Sequence, residues 1–257
     1  MLGNNIEQMT LFSLIFMRMS GFILFNPILG RRNISMTVKG GFIFILTLAV
    51  YSFSSGNISG AALNSPFTLL IAYLKEFAVG YVLGFAVQLF IFIVNYGGYI
   101  NDFQMGLSMA TVYDSQSNAQ MPLSGRIFET YMLLLFFAVD GHIALMHILL
   151  TSYTAVPYGD ILFSDQLVPA ILDIFKECII LGVKFAMPMM IILFLVEIGV
   201  GLLMKIVPQI NIFVLNIQMK VIFGLVILLL LFSPLKDYMN QVINTMLTTL
   251  EQILHFL

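Results

Sequence analysis

A polar, glycine-rich stretch, Tyr96 to Arg126 (YGGYINDFQMGLSMATVYDSQSNAQMPLSGR), separates two long apolar runs, Phe67–Asn95 and Ile127–Leu150. Gly97, Gly98, Gly106, Pro122 and Gly125 predict that it is not one continuous helix. Its flanks make this constraining. Apolar helices of such length are buried in lipid or in protein. Non-helical backbone at that depth persists only where protein surrounds it or where it lines a wet cavity. The stretch therefore reads as a loop inserted into a pore or into the interior of an assembly.

Charge decides the class. Only 9% of the 257 residues are charged, 60% are hydrophobic and the mean hydropathy is +1.01, against about 25% charged in soluble domains. Such a chain cannot cover a soluble surface, which makes it an integral membrane protein or a subunit wrapped by partners. A net charge of −2 argues against nucleic acid. The single cysteine, Cys178, excludes a disulfide framework or a multi-cysteine zinc site. Trp is absent, so an interfacial aromatic belt would rely on Tyr. The opening MLGNNIEQM lacks a basic region and the first apolar run holds Arg18, so no removable signal peptide is expected.

Taken in order, Met9–Leu29 is the first apolar segment, ended or kinked by Pro27. Arg18 at its centre costs at least ~2.5 kcal/mol in lipid, so it either pairs locally or faces a partner or a hydrated interior. Arg31, Arg32 and Lys39 form the densest basic cluster, expected on the cytoplasmic side. Gly40–Phe53 gives a helix of roughly 21 Å and Phe67–Asn95 one of about 44 Å, against a hydrocarbon core of ~30 Å. That mismatch predicts broken or tilted helices, or helices held partly outside lipid. Gly80 and Gly84 permit close helix packing.

In Ile127–Leu150, Glu129, Asp140 and His147 would share one helix face, unless Gly141 breaks the helix. Thr151–Asp173 reads as an outer loop, and Lys176–Met204 as a long helix kinked at Pro188. Lys205–Lys220 reads as a second cytoplasmic turn, and Val221–Phe232 as a last hydrophobic helix ended by Pro234. In the tail 236–257, Ile243, Leu247, Leu250, Leu254 and Leu257 mark an amphipathic helix suited to docking on a partner helix.

Catalytic signatures are missing. His142 and His147 do not share a helix face as a zinc-binding HExxH pair does. Asp140–Gly141–His142 has no nucleophile elbow beside it. No phosphate-cradling GxxxxGK[ST] is present. No enzyme activity, cofactor or metal is expected. Met105, Met109 and Met121 suit a deformable seal.

An ordered set of residues resembles the FliR/SctT export-apparatus family of type III secretion systems over about residues 5 to 235. It begins with Arg18, Gly21, Pro27, Arg31–Arg32 and Lys39, then Glu76-x3-Gly80-x3-Gly84. The central block follows: Gly98, Gln104-Met105-Gly106-Leu107-Ser108-Met109-Ala110, Asp114 and Met121-Pro122. Gly141-His142, Ser152, Pro157 and Gly159 come next, and Pro208-Gln209-x-Asn211-Ile212-Phe213 with Lys220 and Gly224 closes the set. The chain departs from the family pattern where Ser115 follows Asp114, where Ile34–Ser35 follows the basic pair, and at Asn216-Ile217-Gln218.

The resemblance implies an all-α fold of polytopic helical hairpins with broken or kinked helices. A FliP-like part (about 1–175) would be fused to a FliQ-like hairpin (about 176–235), followed by the amphipathic helix 236–257. It implies a core subunit of the flagellar protein-export gate, one copy assembled with FliP and FliQ and neighbouring FlhB and FlhA. That gate would sit in the bacterial inner membrane at the flagellar basal body and pass unfolded export substrates. The channel plug would be 106–122, with Gly106, Leu107, Met109, Tyr113, Asp114, Met121 and Pro122. The cytoplasmic entrance would carry Pro208, Gln209, Asn211 and Phe213. Arg18, Glu76, Glu129, Asp140, His142 and His147 would be interior or inter-subunit polar groups. The alternatives are an injectisome gate subunit and an independent proton-coupled transporter using Glu129, Asp140, His147 and Glu197. An intramembrane hydrolase using His142 lacks a convincing nucleophile.

Overall fold

A computed structural model describes residues 2–31, 33–53, 65–107, 112–114, 119–206 and 212–257. The fold is all-α, with seven helices among the described residues: α1 (Leu2–Phe25), α2 (Met36–Phe53), α3 (Pro66–Met105), α4 (Leu123–Ala138), α5 (Gly141–Ala155), α6 (Leu167–Ile206) and α7 (Ile212–Leu254). Two three-residue strands, β1 (Val112–Asp114) and β2 (Ala119–Met121), form an antiparallel hairpin between α3 and α4. Val112 faces Met121, Tyr113 faces Gln120 and Asp114 faces Ala119.

The helices are longer than their apolar runs. α2 has 18 residues because it begins at Met36, giving about 27 Å, close to the ~30 Å hydrocarbon core. The expected short second helix is therefore not short. α3 has 40 residues and continues through Gly97 and Gly98, so the interruption begins at Gly106 and not at Tyr96. α6 also has 40 residues, runs through Pro188 and takes in Leu167–Asp173, leaving a loop of only 156–166. α7 has 43 residues and passes through Pro234 into the tail. A membrane helix tolerates proline where neighbours satisfy the freed backbone groups. Among the described residues five helices are long and apolar enough to cross a membrane, and the broken pair α4–α5 would be a sixth taken together.

The chain folds as two compact units. The first holds Met1–Leu89, Asp140–Ile174 and Asn244–Leu257. Its core is built on Leu14, Ile15, Met19 and Phe22 of α1 with Val79 and Leu83 of α3. The second holds Phe90–Val139 and Phe175–Ile243. Its core includes Phe128 of α4 in edge contact with Phe185 of α6, ring centroids 5.0 Å apart, with Phe136, Met189 and Met239. The apolar tail face is already covered: Ile243, Leu250, Leu254 and Leu257 are buried by this chain itself, with Leu247 half-buried. In contrast, Leu229 and Leu230 of α7 are 71% and 73% exposed, an apolar surface left for lipid or partners.

Candidate functional site

In the first unit, Arg18 and Glu76 meet. Small residues make this possible. The face of α3 carrying Gly80 and Gly84 lies against α1 at Gly21 so closely that a Cβ on Gly80 would overlap the Arg18 carbonyl, and one on Gly21 the Phe77 carbonyl. Arg18 is wholly buried, and so is Glu76. Arg18 Nε donates to Glu76 Oε2 at 2.7 Å. The other guanidinium nitrogens donate to Ser152 Oγ of α5 at 3.2 Å and to the Val156 carbonyl at 2.9 Å. The guanidinium carbon stands 4.2 Å from the centre of the Tyr158 ring. Glu76 Oε1 accepts from Gly159 N at 3.0 Å, where Gly159 turns the loop with φ 85°, and Lys75 Nζ donates to the Ile161 carbonyl at 2.9 Å. Ser152, the Val156 carbonyl and the Gly159 N–H thus take up the hydrogen bonds of the pair around it, the arrangement that makes a buried charge tolerable.

The same cluster perturbs Tyr158. Burial pushes its phenol up to about 12, partly opposed by the Arg18 guanidinium. Ser152, Tyr158 and the Gly159 amide are members that charge counting along the sequence misses, because they are neutral and lie far away in sequence.

In the second unit, the central excursion leaves α3 at Met105 and rejoins at Pro122. Gly106 starts it in the left-handed region (φ 77°), with its N–H donated to the Phe103 carbonyl at 3.1 Å. Leu107 follows, half-buried. Tyr113 and Asp114 lie on β1 and Met121 on β2, while Pro122 precedes α4 in extended conformation. Met109 lies outside the described residues. Met105 is not part of the excursion's surface: it is fully buried and fills the space over Gly224 of α7. Asp102 of α3 accepts hydrogen bonds from Ser124 N (3.1 Å to Oδ2, 3.3 Å to Oδ1) and from Ser124 Oγ.

The single stripe of Glu129, Asp140 and His147 is not formed. The expected helix Ile127–Leu150 breaks at Asp140, which sits in the left-handed region (φ 56°) ahead of Gly141. The break destroys the helical phase that would align the three. Glu129 is buried on α4, Asp140 is exposed at the break, and on α5 His142 is half-buried and His147 exposed. Of the entrance residues, Pro208, Gln209 and Asn211 lie outside the described residues, and Phe213 belongs to the first turn of α7. The turn expected at Lys205–Lys220 is shorter, since helix resumes at Ile212. Glu197 pairs with Lys220 at 3.1 Å, bridging α6 and α7. Among the described residues no group of three His, Cys, Asp or Glu could hold a metal.

These features define a polytopic helical membrane protein with a non-helical excursion anchored in a buried core. The chain belongs to the bacterial export proteins, family 1, whose pattern it matches over residues 9–246. It is 31% identical to the flagellar biosynthetic protein FliR of Bacillus subtilis (strain 168) over 97% of this chain and 96% of that protein. It is 27% identical to FliR of Escherichia coli (strain K12), with 93% and 90% covered. The Yop proteins translocation protein T of Yersinia pestis is 25% identical, with 81% and 80% covered. With its apolar helices, this places the chain in the inner membrane as a component of a bacterial export apparatus.

Proposed function

We propose that this chain is a core, non-enzymatic subunit of the flagellar type III export gate. It would assemble as one copy with FliP and FliQ and plug the export channel with residues 106–122. The observation that carries the reading is the excursion itself. Its described residues hold a left-handed Gly106 and a short strand pair, between two apolar helices that buried Asp102 and Ser124 join at its base. Irregular backbone beside apolar helices is stable when protein or a wet cavity surrounds it, as in the interior of a channel. At rest the excursion would block ions, and it would move aside for an unfolded chain whose export is energised elsewhere.

The reading is tested by co-expressing the chain with FliP and FliQ, purifying through a tag on this chain and weighing the complex by native mass spectrometry. One copy among several partner copies is the expected result. A homo-oligomer that ignores both partners would refute it. A second reading, a gate subunit of a secretion apparatus other than the flagellum, is favoured by the likeness to the Yersinia protein. Complementation of a non-motile strain lacking its own flagellar gate subunit separates the two.

A further inference from the structure

We infer that the loop 156–166 is a pre-shaped docking element. Leu162 and Phe163 at its tip seat in an apolar pocket of another protein subunit of the export apparatus, and Asp160 and Asp165 pair with Lys or Arg on the rim of that pocket. The inference uses the membership of an export apparatus and the geometry of the first unit. It does not depend on the plug reading above.

The loop has no helix or strand of its own, and such segments are ordinarily the mobile parts of a fold. This one is pinned along its length. Arg18 donates to the Val156 carbonyl at 2.9 Å and covers the Tyr158 ring. Glu76 Oε1 accepts from Gly159 N at 3.0 Å, and Lys75 Nζ donates to the Ile161 carbonyl at 2.9 Å. Ser164 N donates to the Phe256 carbonyl of the C-terminal segment at 3.2 Å. Val156, Tyr158 and Ile161 are buried beneath the loop. Between the anchors at Ile161 and Ser164 the chain presents Leu162, 79% exposed, and Phe163, 40% exposed. A buried ion pair is seldom a better source of stability than apolar residues of the same volume. Arg18 and Glu76 do what two leucines cannot: they hydrogen-bond irregular backbone and so fix its shape. A binder that is already ordered loses less conformational freedom on association. Arg18, Lys75 and Glu76 are positioning residues that act through the loop they hold.

The chemistry of the tip selects the partner. Asp160 and Asp165 flank it, both exposed and neither in an ion pair among the described residues. The stretch 151–173 contains no Lys, Arg or Trp. A loop that dips into a bilayer uses those residues to hold headgroups, and anionic lipid repels carboxylates. The surface that complements two exposed apolar side chains between free carboxylates is an apolar pocket with a basic rim on a protein.

The test places a photoreactive benzophenone side chain at position 162 of the full-length chain, in cells that assemble the intact export apparatus. After illumination the adduct is measured per membrane-inserted chain, and the crosslinked peptide is read by mass spectrometry. The same measurement is made with Asp160→Lys/Asp165→Lys, which reverses the rim charge, and with Lys75→Met, which removes one anchor and leaves the tip and its carboxylates in place. Both are changes at accessible positions, so the chain is expected to stay folded. The expected result is one discrete protein adduct, to an apolar segment with Lys or Arg beside it. Its yield should fall several-fold in the charge-reversed chain and in Lys75→Met.

Adducts to lipid alone, or no adduct, would overturn the inference. So would a protein adduct whose yield ignores the charge reversal, because the basic rim would then be absent. An adduct that keeps its yield in Lys75→Met would overturn the pre-shaping.

Discussion

Replacing Glu76 by Ala is expected to be among the most damaging single changes in the first unit. The Arg18 guanidinium is wholly buried, and Glu76 is the one carboxylate in the ion pair it forms, at 2.7 Å. Removing one partner of a buried pair costs about 3–5 kcal/mol, because the remaining charge is stranded away from water. The same substitution orphans the Gly159 N–H, which donates to Glu76 Oε1 at 3.0 Å, adding about 1–3 kcal/mol. The sum is comparable with the 5–15 kcal/mol that typically separates folded from unfolded states. Glu76→Gln keeps an acceptor for Gly159 and should cost less.

The double variant Arg18→Leu/Glu76→Leu removes both charges and strands only neutral groups, the Val156 carbonyl that now accepts from Arg18 and the Gly159 N–H that now donates to Glu76. It should therefore be milder than Glu76→Ala alone, since apolar replacement of a whole buried pair is often near neutral. Thermal unfolding in detergent, followed by far-ultraviolet circular dichroism, orders the four proteins. A Glu76→Ala cost below about 1 kcal/mol, as for an exposed pair, would refute the reasoning. So would a double variant worse than the single.

Other expectations follow from the same geometry. Gly80→Ala should separate α1 from α3, because the new Cβ would overlap the Arg18 carbonyl. A loss of thermal stability alongside reduced Arg18–Glu76 coupling in a double-mutant cycle checks it. Glu197→Gln at the Lys220 bridge, where the two side chains are 47% and 16% exposed, should change the unfolding midpoint little, with about 0–1 kcal/mol at stake. Tyr158, with its phenol pushed up to about 12, keeps its proton where an unfolded tyrosine of pKa about 10 has lost it. The native state then binds more protons between those values. Its contribution to stability should be constant below pH 10 and fall by up to about 2.7 kcal/mol as pH rises towards 12. Tyr158→Phe should flatten that slope in a pH series of unfolding curves.

The membrane class and the central excursion were legible because each is a local property of the sequence. Charge deficit and the cluster of Gly and Pro need no partner to be read. Gly97 and Gly98 signal either a break or a close contact, and the residues that decide lie far off in sequence: Phe185 and Gly182 against Gly97, Gly125 against Gly98. Pro234 was misread as a terminus for a related reason. Its local penalty of about 3 kcal/mol is offset by packing that no window reveals: Met239, Val242 and Ile243 just beyond it are buried, and the Tyr238 hydroxyl donates to the Leu181 carbonyl at 2.7 Å. Arg18 and Glu76 were each conspicuous as charges in apolar helices, yet 58 residues separate them, and they meet because Gly21 packs on the Phe77 carbonyl and Gly80 on the Arg18 carbonyl. The polar stripe failed at one residue, Asp140, whose left-handed conformation ends the helical phase on which the stripe depended.

Helix length carries the argument one step further. α3 with 40 residues and α7 with 43 extend for about 60 Å or more, twice the ~30 Å of a hydrocarbon core. No ordinary tilt absorbs the excess, since membrane helices lean by about 20° on average. Part of each helix therefore exceeds the core, and in α7 that part includes the amphipathic tail from Lys236, whose apolar face this chain itself buries. The exposed Leu229 and Leu230 sit on such a helix. Any of that apolar surface held out of lipid needs protein against it, which a partner would supply. A chain purified without partners should bind more detergent than one spanning bundle of its size requires, and should lose that excess on assembly. Analytical ultracentrifugation with density matching measures the bound detergent directly. An unchanged amount on assembly would mean that these helix faces meet lipid after all.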